Sequence, residues 1–141
     1  MKYAKEIVTT VTGFIGGFIS AAFGGWDTAL TTLVIFMAMD YISGLIVAGV
    51  FKKSGKSKDG ALESRAGWEG LYRKGITLAA VLVAYRLDLT IGASYIKDTV
   101  IIAFIANETI SLIENSGLMG VPWPPVITKA IDILKNKTAD K

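Results

Sequence analysis

Five polar side chains crowd one stretch of an otherwise oily sequence: Asn107, Glu108, Ser111, Glu114 and Asn115. On a helix they project into an arc of about 120°, and Ile105, Thr109, Ile110, Leu112 and Ile113 cover the remainder. Three more ionisable groups interrupt apolar runs. Asp40 is the only charged residue between positions 28 and 51, with Ser43 and Gly44 just after it, and Arg86 and Asp88 lie inside the run 75–96. A carboxylate at mid-bilayer costs about 2.5 to 3.5 kcal/mol on insertion scales, so such groups face protein or water rather than lipid. The chemistry open to them is proton or ion handling, or the tying of one helix to another. The chain contains neither His nor Cys, which removes the commonest general base, a thiolate nucleophile and a zinc-thiolate site. No catalytic residue, metal site or cofactor is expected.

These groups need long helices to hold them. At 141 residues, 52% hydrophobic, with a mean hydropathy of +0.49, the chain is too apolar for an ordinary soluble domain. Roughly 20 apolar residues at about 1.5 Å rise cross a ~30 Å hydrocarbon core. The expectation is an all-α integral membrane protein forming a single membrane domain over 1–141. It has three to four transmembrane helices, four preferred, near 7–25, 28–51, 75–96 and 99–119, and a short C-terminal amphipathic helix over 126–137. In the first span Gly13, Gly17 and Ala21 recur at spacing four, flanked by Gly16 and Ser20, a pattern that lets helices approach closely in lipid. Lys2 and Lys5 before this run, and Ser20-Ala21-Ala22 within it, imitate a signal peptide, but the apolar part is long for one. Trp26 falls where interfacial aromatics sit.

Residues 52–74 form the main polar loop, with Lys52, Lys53, Lys56, Lys58, Arg65, Arg73 and Lys74. Its Ser54-Gly55-Lys56-Ser57 echoes the end of a P-loop, yet the earlier glycine is replaced by Val50 and a membrane helix precedes it. A solvated loop, attracted to acidic headgroups, fits better. Pro122, Pro124 and Pro125 end the last span. In the tail helix Val126, Ile127, Ala130, Ile131, Ile133 and Leu134 share one side, and Lys129, Asp132 and Lys135 the other.

With four spans and both termini inside, Lys2, Lys5, the seven basic residues of the loop, Lys129, Lys135, Lys137 and Lys141 are cytoplasmic. Only Lys97 is outside, which agrees with the positive-inside rule. That topology puts Asp40 and Arg86 at similar depth, where they can pair. Asp88, about 200° around the helix from Arg86, needs another neighbour, water or a proton. The polar stripe of the fourth span either glues one bundle together or lines water or a subunit contact. The second is favoured, because five polar groups exceed what a bundle this small is expected to satisfy.

Met39-Asp40-Tyr41-Ile42-Ser43-Gly44, and more specifically the segment from Phe104 through Asn107-Glu108-Thr109-Ile110-Ser111 to Glu114-Asn115 followed by Gly120-Val121-Pro122-Trp123-Pro124, resemble the toxin-secretion/phage-lysis holin family. The resemblance covers about 33–134. It implies a protein of the bacterial cytoplasmic membrane that homo-oligomerises in the lipid bilayer. There it opens lesions through which an endolysin, or in some relatives a toxin, escapes, and no nucleic acid is among its partners. Replacing Glu108 with Gln or Asp40 with Asn should then shift lysis timing and leave insertion intact. Two other classes compete: a small four-helix proton-coupled transporter using Asp40 or Glu108, and a membrane scaffold whose basic loop docks a cytoplasmic protein.

Overall fold

The computed structural model describes residues 1–139, so Lys141, counted above among the cytoplasmic residues, lies outside the described residues. Among these there are helices and no strand: α1 (Lys2–Ala22), α2 (Thr28–Ile46), α3 (Ser64–Ile91), α4 (Ile96–Leu118) and α5 (Pro125–Ala139). A π-helical turn, Val47–Phe51, continues α2, so together they cover the expected 28–51. Helix α3 differs most from expectation. It starts at Ser64, inside the presumed loop, and stops at Ile91, where Gly92 takes a left-handed conformation with φ 70°. Local pairs support the early start: Arg65 and Glu69 pair one turn apart at 3.1 Å, and the Trp68 and Tyr72 rings lie 6.1 Å apart, tilted by 31°, at the same spacing.

Helix α2 begins at Asp27, whose Oδ1 accepts the Leu30 N–H at 2.8 Å. This N-cap satisfies one of the donors that every helix start leaves open. The Leu30 N–H holds the Asp27 carboxyl below its ordinary pKa, partial burial works against it, and the Lys97 ammonium adds to the lowering. A carboxylate with a depressed folded pKa stabilises the fold above its unfolded value, about 4, and loses that contribution as pH falls through the lowered value. Thermal unfolding between pH 6 and pH 3 should therefore show a steeper acid loss for wild type than for Asp27→Asn, which keeps a capping oxygen without the charge. Equal slopes would contradict this.

Helices α2 and α4 pack side by side in the same direction, because Asp27 and Lys97 meet at their N-terminal ends and Ser43 and Asn115 farther along. Helix α3 runs the opposite way, with Lys74 level with Asp40 and Asp88 level with Ile96. Leu30, Leu33, Met37, Val81 and Ile101 form the apolar core, with Phe23, Leu78 and Phe104 against it. The rest of the apolar surface points outward: Ile35, Ile42, Val50, Ile76, Val83, Leu89 and Ile102 are all exposed, whereas Asp40, Asp88, Lys97, Glu108 and Asn115 are buried. That is the reverse of a water-soluble bundle.

Helix α1 buries none of its residues. Gly13, Gly16 and Gly17 have nothing within van der Waals reach, so the close packing expected of this stripe is not made within the chain. Ser20 and Ala21 lie at its end, where the Gly25 N–H reaches the Ser20 carbonyl at 2.6 Å and the Gly24 N–H the Ala21 carbonyl at 3.2 Å. The turn that follows is closely fitted. Gly24 sits at φ 76°, and a Cβ there would come within 2.6 Å of the Tyr85 ring of α3.

Candidate functional site

A charged cluster ties the three packed helices together at one level. Lys74 Nζ of α3 lies 2.7 Å from Asp40 Oδ2 of α2 and 2.8 Å from Glu108 Oε2 of α4. Because α2 and α4 run parallel, the two acids sit at the same height, each about 18 Å along its helix from the first residue. One ammonium thus bridges two carboxylates. Asp40 is held further: Ser111 Oγ donates to its Oδ1, and Asn115 Nδ2 donates to the same oxygen at 3.1 Å and to the Asp40 carbonyl at 3.2 Å. Asn115 Nδ2 also donates to Ser43 Oγ at 2.9 Å, and Ser43 Oγ donates to the Asp40 carbonyl at 3.0 Å. Gly44 lies beside this contact, and a Cβ there would stand 3.8 Å from Asn115 Nδ2, an ordinary van der Waals distance. Asp40, Glu108 and Asn115 are each less than 9% exposed.

Two acids and one base leave the cluster formally one unit negative. Burying such a group carries a desolvation cost that attraction offsets only when lone pairs and protons all find partners, which is what Ser111, Asn115 and Ser43 provide for Asp40. Chemically the cluster can tie helices, and it can take up a proton or water when the helices part.

The pairing of Asp40 with Arg86 is not formed. Since α3 starts at Ser64 and ends at Ile91, the residue level with Asp40 is Lys74, and Arg86 lies exposed about 8 Å from the helix end. Asp88 is not at mid-bundle either. Its two carboxylate oxygens accept the Ile96 and Lys97 N–H groups, both at 2.9 Å, and so close the α3–α4 turn. The stripe expected to face water or a subunit is used mostly inside the chain: Glu108, Ser111 and Asn115 point at Asp40 and Lys74, and Glu114 pairs with Lys135 of α5. Asn107 alone among the five is exposed.

Two site residues are missed by sequence reasoning. Lys74 falls in the expected loop, although the helical spacing of Arg65 with Glu69 and Trp68 with Tyr72 signals that the helix is already under way. Lys97, expected in an outer turn, is buried. Its Nζ donates to the Phe23 carbonyl at 2.7 Å and to Asp27 Oδ2 at 3.2 Å, and lies 5.3 Å from the Tyr85 ring centre. It links the α1–α2 turn to the α3–α4 turn.

Among the described residues the molecule is thus all-helical, with a buried charged cluster beside its apolar core, and one helix, Thr28–Phe51, is by itself long and apolar enough to cross a membrane. The model of the bacteriophage holin family matches residues 17–136, and the chain belongs to that family. It is 37% identical to an uncharacterized protein of Clostridium perfringens, over 88% of this chain and 87% of the relative. An uncharacterized protein of Listeria innocua is 35% identical, over 93% and 88%. A more distant relative, 29% identical over 79% of this chain and 78% of its own length, is named a probable holin of Bacillus phage phi105. No solved structure matches the chain.

Proposed function

We propose that the protein is a non-enzymatic holin that spans the bacterial cytoplasmic membrane several times, assembles into homo-oligomers and opens lesions that release an endolysin and lead to host lysis. The family match over 17–136 carries this reading. The packing supports a multi-pass arrangement. Of the charges that make α3 and α4 less apolar than α2, the four deepest in the packing, Lys74, Asp88, Lys97 and Glu108, have partners within the bundle, while Arg73 and Asp98 stay exposed. Arg86 is near enough to the end of α3 to extend its guanidinium to the interface. Exposed Trp26 and Tyr95 at one end, and Trp68 and Tyr72 at the other, stand about 30 Å apart along the bundle, which is the hydrocarbon thickness. Helix α1 is the fourth span, and both termini and the basic segment at 52–58 face the cytoplasm. Lys74 leaves the cytoplasmic count.

In the closed packing the Asp40–Lys74–Glu108 cluster is satisfied by its own chain, and in the open one it is hydrated. Such states differ by a few kcal/mol. A charge moved through the whole membrane field gains about 2.3 kcal/mol per 100 mV, enough to tip that balance. The test is expression in a bacterial host with and without a cytoplasmic muralytic enzyme, followed by optical density. Growth should stop abruptly in both cultures and lysis should follow only with the enzyme. Substrate-dependent flux in cells that go on growing would instead identify a transporter.

A further inference from the structure

One residue of the polar stripe is left over. Asn107 sits next to Glu108, about 17 Å into α4, yet its side chain points away from the bundle, and no hydrogen bond joins its amide to another described residue. Around it Ile102, Ala103 and Ala106 are exposed and Ile110 is half-buried, so the amide stands in an apolar face that starts one turn before it with a small residue. Toward the inner end that face is bounded by Glu114, which α5 holds through Lys135.

We propose that this face of α4, centred on Asn107 with Ala103 one turn before it, is where a second copy of the chain docks; the inference rests on the chain spanning the membrane as proposed above. Hydrocarbon offers an amide no hydrogen bond, so a partner must. A carboxamide carries donors and an acceptor together and is its own complement when symmetry brings two copies face to face. Ala103 and Ala106 let the two backbones approach closely enough for amides to meet.

The chain has no Cys, so single substitutions report cleanly. In membranes of cells making the full chain, Ala103→Cys and Asn107→Cys should form disulfide-linked dimers under mild oxidation, and Ile42→Cys and Leu87→Cys on other exposed faces should not. Adding Asn107→Leu to Ala103→Cys should lower the dimer yield roughly three- to thirtyfold, the span of one interhelical polar contact in lipid, and Asn107→Gln should restore part of it. Equal cross-linking on all faces, or a yield indifferent to Asn107→Leu, would overturn the interface. So would a Phe14→Cys/Asn107→Cys chain that links to itself, which would make α1 the occupant. If the wild type still lyses cells while these cross-links fail, only the interface is lost. A wild type that neither inserts nor lyses removes the holin assignment as well.

Discussion

Lys74→Met is expected to destabilise the bundle by about 3 to 5 kcal/mol, the usual consequence of deleting one partner of a buried ion pair. The effect should lie at the upper end, because this ammonium is shared by two carboxylates: its loss leaves Asp40 and Glu108 facing each other with no cation between them. Like charges held together in a medium of low dielectric either force a proton onto one of them or drive the helices apart. Unfolding of the purified protein in detergent measures the loss, and under the holin role proposed above premature lysis reports it in cells. The triple change Lys74→Met, Asp40→Asn, Glu108→Gln removes every charge of the cluster and should recover most of the lost stability. A single mutant as stable as wild type, or a triple mutant no better than the single, would show that the cluster does not hold the helices.

The two acids should respond in opposite directions when changed singly. Asp40 accepts from Lys74, Ser111 and Asn115, so Asp40→Asn places an NH₂ donor against at least one of these donors and costs about 1 to 3 kcal/mol of the α2–α4 contact. Lysis should come early. Glu108 is held in the cluster through Lys74, and Glu108→Gln leaves the remaining Lys74–Asp40 pair formally neutral. Removing the surplus negative charge favours the closed packing, and lysis should be delayed. Onset times after induction, with membrane content of each variant checked by immunoblot, decide the point. A shift in the same direction for both, or none, would contradict the asymmetric bonding.

Much of this architecture is legible in the residues alone. The run 28–51 stands out because a long apolar helix with one central charge is rare outside a membrane, and the cost of burying Asp40 already marks it as a tie or a functional group. Its partner is hidden. Lys74 sits at the end of a strongly basic stretch, where composition argues for loop; only the i,i+4 spacing of Arg65 with Glu69 and of Trp68 with Tyr72 shows that α3 has begun, and such weak signals lose to seven basic residues. That single boundary misplaces Arg86 as well, since depth along a helix is counted from its ends, and Gly92 sets the far end earlier than hydropathy does. The stripe on α4 is legible, and its use is not. Its capacity to be satisfied within one chain depends on Lys74, on Lys135 and on the parallel alignment of α2 with α4, none of which follows from spacing. The glycines of α1 have the spacing expected of a close-approach surface, but nothing among the described residues lies against Gly13, Gly16 or Gly17, and their period does not encode a partner.

Helix α1 is joined to the bundle through a turn whose anchors, the Phe23 carbonyl and Asp27 held by Lys97 and Gly24 seated against Tyr85, all lie at or beyond its last residue. Swinging its body about that pivot disrupts no buried side chain. In the membrane arrangement proposed above, its angle would be set by the surrounding lipid and by neighbouring molecules, leaving the fold of the other helices indifferent to where it points.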